Sequence, residues 1–397
     1  AGLDVRVNDM QRVTSGVVGL LAVAMVLAAC GGDDGASDTT AAPEETTTTA
    51  GEAMVNLADV CPDPIIIQTD WFPEAEHGGT YQLVGDDYTV DVENQIVSGS
   101  LVASGEDTGI DVQVRTGGPA IGFQPVSTQM YTEPEIHFGF ISTDEAAAFA
   151  DDAPTIAVVA PLEKNPQIIM WDPETYPEVE TIADLGELGV TINVFAGGTF
   201  GDVLVAQGIL SADQIDPSYD GSPARFIAEG GAIAQQGFAS AEPYNYEFVF
   251  EDWGKPVAYQ LIHDAGFQVY SQALAIRADD LEPLRPCLEQ LVPIMQQAAV
   301  DYANDPARVN AMVIDAVEQY DSFWVYDEGV AQYSIDTQVE LGLVGNGPDS
   351  TLGNMEPERV QAVIDAMAGA GMDVMDGLTA ADISTNEFID PSIGLDG

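Results

Sequence analysis

Residues 64–81 read Pro64-Ile65-Ile66-Ile67-Gln68-Thr69-Asp70-Trp71-Phe72-Pro73-Glu74-Ala75-Glu76-His77-Gly78-Gly79-Thr80-Tyr81. The β-branched run over 64–68 predicts a short buried strand. Pro73 then opens a helical stretch over 76–84. The same change of period recurs down the chain. Strands are predicted over 110–115, 136–141, 155–160, 167–171 and 190–195, with an extended segment over 266–276. Helices are predicted over 145–149, capped by Ser142-Thr143-Asp144, and over 182–188 and 200–209. Beyond residue 281 the pattern is mostly helical, over 284–303, 306–320 and 357–367. No internal repeat is evident. Alternating strand and helix predicts an α/β fold with largely parallel sheets. Ligands of such sheets bind beyond the carboxyl ends of the strands, which selects the loops 69–77, 116–120, 142–145 and 196–200.

Residues 14–29 are almost wholly apolar or small, follow Arg12, and end in Leu27-Ala28-Ala29-Cys30. A basic residue, a short apolar run and a small-residue cleavage site predict a secretory signal peptide over 1–29. The run is shorter than the ~20 residues of a membrane-spanning helix. Met10, before Gln11-Arg12, is the expected start. Residues 30–55 are rich in Thr, Ala, Gly and acidic residues without apolar periodicity, which predicts a flexible tether. About 340 residues follow, enough for two lobes of ordinary domain size.

The net charge is −56, from 66 acidic and 10 basic residues. Such a balance excludes nucleic acid as a partner, because a phosphate backbone demands a basic footprint. Self-repulsion of this size is better tolerated where salt screens it, so a marine or halophilic source is expected. Besides Cys30, the cysteines are Cys61 and Cys287. In an oxidising compartment they are a disulfide candidate. Two buried free thiols satisfy the sequence equally well.

Residues Thr69 to Tyr81 resemble the opening of the solute-binding proteins related to the thiamine-pyrimidine, nitrate and sulfonate receptors: a strand, Asp-Trp, a proline, a histidine and a small-x-Tyr helix start. The likeness continues in order through Val114-Arg115-Thr116-Gly117-Gly118-Pro119, His137-Phe138-Gly139-Phe140-Ile141-Ser142-Thr143-Asp144-Glu145, Lys164-Asn165-Pro166-Gln167-Ile168-Ile169-Met170, Val194-Phe195-Ala196-Gly197-Gly198-Thr199 and Ala241-Glu242-Pro243-Tyr244. Together these pieces span roughly residues 63–330. The resemblance implies a two-lobed, type II periplasmic-binding fold closing about a hinge. Lobe one would comprise 60–158, lobe two 159–267, and residues 268–397 would return to lobe one and end in helices. Leu27-Ala28-Ala29-Cys30 also resembles the bacterial lipobox, which implies lipidation of Cys30 and attachment to the outer face of a membrane. The implied function is the extracytoplasmic receptor of an ABC importer, a monomer that delivers a small organic solute to permease and ATPase subunits.

Gly197-Gly198-Thr199 precede a helix, where free N–H groups and the helix dipole suit a polar or anionic ligand group. The turn Gly117-Gly118 closes the corresponding loop of lobe one. Trp71 and Tyr81 offer flat walls for a ring, and Tyr244 could close the pocket from the other lobe. Each of these rings suits core packing as well. Asp70, Asp144 and Glu242 stand at loop starts as acceptors or as helix caps, and His77 is a ligand donor or a structural histidine. Trp171 and Trp324 are assigned to the core. The set favours a nitrogen heterocycle such as a thiamine-precursor pyrimidine, followed by riboflavin-like compounds, nitrate, and alkyl or aromatic sulfonates.

His77, His137 and His263 are dispersed and no Cys-x-x-Cys occurs, so neither a metal nor another cofactor is expected. There is no Walker loop and no Gly-x-Ser-x-Gly, so ATP hydrolysis belongs to a partner and the chain is not expected to be an enzyme. Some proteins of this fold make the thiamine pyrimidine from pyridoxal phosphate held on a lysine and from a histidine that His77 would match. The chain's two lysines, Lys164 and Lys255, are remote from it in sequence. A surface sensor without transport is the remaining alternative.

Overall fold

The computed structural model describes residues 55–395. The expected signal peptide, Cys30 and nearly all of the tether lie outside the described residues.

In chain order the strands are β1 (Ile65–Gln68), β2 (Thr89–Asp91), β3 (Ile96–Ala103), β4 (Glu106–Arg115), β5 (Phe138–Ile141), β6 (Thr155–Val159), β7 (Gln167–Trp171), β8 (Ile192–Asn193), β9 (Ile215–Asp216), β10 (Ala234–Phe238), β11 (Ala258–Leu261) and β12 (Ala273–Arg277). They form a seven-stranded sheet ordered β2-β3-β4-β1-β5-β12-β6 and a five-stranded sheet ordered β11-β7-β10-β8-β9. The fold is α/β and two-lobed, one lobe around each sheet. The chain leaves the first sheet through residues 160–166 and returns through 262–272.

The sheets are mixed rather than largely parallel. β4, β1 and β5 run parallel, as do β10, β8 and β9. β12 is antiparallel to both β5 and β6, because it re-enters the first sheet from the other lobe. β2, β3 and β4 form an antiparallel meander, the pairing that short turns require. β1 is buried at every position, as its unbroken β-branched run predicts. β4 instead alternates, burying Thr108, Ile110, Val112 and Val114 on one face.

Helical packing departs from expectation at residues 76–84. The segment breaks into a 3-10 turn, Ala75–His77, and a single α-turn, Gly78–Tyr81. A Cβ on Gly78 would lie 2.1 Å from the Tyr302 ring, so the glycine lets this turn press against the long helix Leu281–Asn304. The segment predicted as strand over 190–195 pairs only as β8, and that predicted over 266–276 pairs only as β12. Helix Glu328–Glu340, unread in the sequence, is capped by Asp327 and buries Ser334, Thr337 and Gln338. Those polar inward positions hide its amphipathic stripe.

One core lies between the first sheet and helices Leu281–Asn304 and Ala307–Tyr320, around Ile65, Ile67, Val112, Phe138, Leu288 and Leu291. A second runs through both lobes, from Met130 and Ile141 to Trp171, Ile192 and Phe200. Cys61 and Cys287 are disulfide-bonded, with Cα atoms 4.7 Å apart and a sequence separation of 226. The bond clips the entrance of β1 to the long helix, which decides between the two alternatives that the sequence left open.

Candidate functional site

The loop after β1 is held by its own polar groups. Gln68 Nε2 donates to the carbonyls of Thr69, Arg115 and Thr116, and Thr69 Oγ1 donates to the Trp71 carbonyl at 2.7 Å. The Gly117 N–H closes the arrangement onto the Trp71 carbonyl at 3.1 Å. A Cβ on Gly117 would lie 2.1 Å from the Thr69 carbonyl oxygen. Gly118 has φ +56°, and a Cβ there would lie 2.5 Å from the Trp71 ring. Both glycines therefore set the position of Trp71.

Trp71 projects into a cleft of about 290 Å³ between the lobes. Its ring lies 6.1 Å from Phe123, 6.0 Å from Trp324 and 6.1 Å from Phe195 of the second lobe. Phe195 in turn lies 4.7 Å from Tyr219. Asp70, Glu74, Gln236, Glu242 and Gln272 add the polar lining. A deeper compartment of about 190 Å³ shares Asp70, Phe238 and Gln272 with it and adds Asp144, Glu145, Asn165 and Thr199. An outer compartment, reaching Asn245 and Tyr246, shares Tyr219, Glu242 and Trp324. None of these compartments is lined by a lysine or an arginine.

The lobes are closed upon each other. The Thr199 hydroxyl donates to Asp144, and the Ser240 hydroxyl donates to Glu76. Tyr333 OH reaches the Ala239 carbonyl at 3.1 Å.

Carboxyl groups crowd the floor. His77, fully buried, bonds Asp70 Oδ1 through Nε2 at 2.7 Å and packs edge-on against Phe140. Burial pushes the Glu74 carboxyl well above its ordinary range, and the nearby Glu76, Asp70 and Glu242 add to the shift. Glu76 is raised by burial, against the opposing hydrogen bond from Ser240. Burial lifts Glu242 to about 7 although it accepts the Phe238 N–H at 2.6 Å. Burial lifts Glu145 to about 7 as well, opposed by the Ser127 N–H at 2.8 Å. Loss of solvation disfavours the charged form of each, and like charges reinforce the effect.

Of the residues selected from sequence, Asp70, Trp71, Asp144, Gly198, Thr199 and Glu242 line the cleft. His77 stands behind Asp70, and Gly117 and Gly118 lie beneath Trp71. Gly197 is exposed on the loop before helix Thr199–Ala206 and lines none of the compartments. At that helix start Thr199 donates to the protein's own Asp144, where a polar or anionic ligand group is expected from the sequence. Tyr81 is fully buried in the first-lobe core, because the short turn points it away from the cleft. Tyr244 packs on Tyr333, 5.4 Å away, outside the cleft. Trp324, assigned to the core, lines the cleft instead: it stacks on Phe72 and donates Nε1–H to the Pro73 carbonyl at 3.3 Å. Glu74, Phe123, Phe195, Tyr219, Gln236 and Gln272 were not selected. The signal available was that Glu74 lies inside the chosen loop 69–77 and that Phe195 directly precedes the chosen loop 196–200.

No family model matches the chain, and no curated protein matches it in sequence. Solved structures do. A protein of Bordetella bronchiseptica RB50 is 12% identical with a TM-score of 0.52, covering 82% of this chain and 95% of that one. The periplasmic aliphatic sulphonate-binding protein SsuA of Escherichia coli is 15% identical with a TM-score of 0.50, covering 78% and 86%. The ligand-binding component of an ABC-type import system of Staphylococcus aureus, solved with zinc bound, is 11% identical with a TM-score of 0.51, covering 83% and 100%. The chain has the periplasmic-binding-protein fold. At these identities the likeness carries the architecture alone.

Proposed function

We propose that the protein is the extracytoplasmic receptor of an ABC importer, closing its two lobes on a small organic solute that contains a flat ring. The observation that carries this reading is the interlobe cleft, walled by Trp71, Phe123, Phe195, Tyr219 and Trp324 and fitted with hydrogen-bonding groups from both lobes. Concave, mostly aromatic sites with a few converging polar groups are the usual design for organic ligands. Lobe closure buries such a ligand on both faces, and the closed form is what a permease would read. The Cys61–Cys287 bond fits an oxidising compartment. The lipobox-like Cys30 supplies attachment to the membrane, and permease and ATPase come from other chains.

Within this role the best solute is a nitrogen heterocycle such as a thiamine-precursor pyrimidine, with riboflavin-like compounds next. A ring stacks on Trp71, and its N–H groups donate to Asp70, Glu74 and Glu242. A sulfonate is the second reading, favoured by the architecture shared with SsuA. Against it, no cationic side chain lines the cleft to balance the anion.

A thermal-shift screen tests the proposal with thiamine pyrimidines, riboflavin, nitrate, sulfonates and polyamines. A ligand present at 100 times its dissociation constant adds about 2.7 kcal/mol to stability. A shift confined to one chemical class supports the receptor reading and names the class. Nitrate or taurine giving the shift while pyrimidines do not overturns the heterocycle.

A further inference from the structure

Resting on the receptor reading, we infer that the solute carries a positive charge, and that this charge replaces a proton on the Glu242 carboxyl as the solute binds.

Acidic groups face Glu242 from several elements. From the loop after β1 come Asp70, Glu74 and Glu76; from the loop after β9 comes Tyr219; and from the turn Asn245–Val249 comes Tyr246. All are acidic groups. His77, a base beneath this cleft, is buried behind Asp70 and already bonded to it. Closing the lobes thus brings Glu242 of one lobe toward Glu74 and Glu76 of the other, in a cleft that Asp70 also lines and that no lysine or arginine among the described residues lines. Two things can relieve that repulsion: protons, or a positively charged guest. In the absence of a guest, burial and neighbouring charge keep Glu242 protonated up to about neutrality. A cation seated between the lobes reverses that balance, and the proton departs to solvent.

Two independent features of the cavity point to the same guest. The Gln272 side chain is 95% buried and borders both the aromatic and the deeper compartment, and its Oε1 has no hydrogen-bond partner. Asp144 Oδ1 in the deeper compartment is likewise buried without a partner. Both are acceptors in want of an N–H donor. The walls are aromatic rings, whose π faces attract cations and repel anions. Acceptors, π faces and carboxyl groups together describe a site for an ammonium or protonated heterocycle attached to, or part of, a flat ring.

The test is a ring-matched series on the intact protein by calorimetry: benzylamine, benzyltrimethylammonium, benzyl alcohol and phenylmethanesulfonate, at pH 5.5 and pH 8. The two cations should bind at least tenfold tighter than the alcohol at pH 8. Their affinity should rise about tenfold from pH 5.5 to pH 8, with proton release measured in buffers of different ionisation heat, while the alcohol's affinity stays level. E242Q should lower cation affinity and flatten its pH dependence, with an unchanged near-ultraviolet circular dichroism spectrum certifying that the variant is folded. A ranking led by the alcohol or the sulfonate, or cation binding without proton release, overturns the inference and leaves the receptor reading intact. Silence from this series together with silence from the thermal-shift panel overturns both.

Discussion

At the scale of single residues, Trp71 is placed by what lies under it. Gly117 to Ala would force a methyl group into the Thr69 carbonyl, and Gly118 to Ala would strain a left-handed backbone beneath the indole. Each should cost on the order of 2 kcal/mol in denaturant melts and weaken ligand binding by displacing the ring. Trp71 to Ala should weaken binding at least tenfold with a smaller effect on melting. The raised carboxyl groups give a pH signature of known sign. Glu145 and Glu242 have folded values near 7, above the ordinary 4.5. Their contribution to stability is therefore fully present below about pH 4.5 and is lost as pH rises through 7. The ligand-free protein should melt higher at pH 5 than at pH 8, and the double variant E145Q/E242Q should narrow that difference. Sequence reading went furthest where a side chain's direction follows from its place after a strand. Asp70 and Trp71 leave the end of β1 and face the cleft. It went least far at Tyr81, turned inward on a single helical turn, and at Trp324, which looks like core by composition yet borders the interlobe cleft from the loop between helices Ala307–Tyr320 and Glu328–Glu340. Gln272, with φ +52°, sits in a backbone state that no pattern announces.

At the scale of elements, β1, β5, β6 and β7 were legible because strands buried on both faces read as uninterrupted apolar runs. β10 was not, since Ala234-Gln235-Gln236-Gly237-Phe238 buries two glutamines. Their amide groups are engaged by Tyr246 OH at 2.9 Å and by the Phe195 N–H at 3.0 Å, a compensation invisible in the chain's composition. β2, β3 and the first half of β4 escaped notice for a related reason: much of their length faces solvent, so their polar residues look like loop. The clip between Cys61 and Cys287 joins two elements of one lobe across a very long loop. The reduced protein should lose about 3 kcal/mol of stability, read as a lower denaturation midpoint after treatment with a thiol reductant.

At the scale of the whole molecule, closure rests on few direct bonds. Thr199 to Asp144 and Ser240 to Glu76 are the hydroxyl–carboxyl links across the cleft among the described residues. The double variant T199V/S240A should leave each lobe folded but open the ligand-free molecule. The expected sign is a larger radius of gyration in solution scattering and a weaker ligand affinity. The charge of −56 acts on the molecule as a whole. Raising salt from 0.1 M to 1 M shortens the screening length from ~10 Å to ~3 Å, so the melting temperature should climb with added sodium chloride. The two crossings between the sheets have a further consequence for biogenesis. The second sheet is drawn from one continuous stretch, residues 167–261, whereas the first needs β12 and the helix bearing Cys287, which a ribosome makes afterwards. The lobe begun first is therefore completed last. Its Cys61 thiol waits through the synthesis of the entire other lobe, and a nascent chain halted before residue 287 has no native partner to offer it.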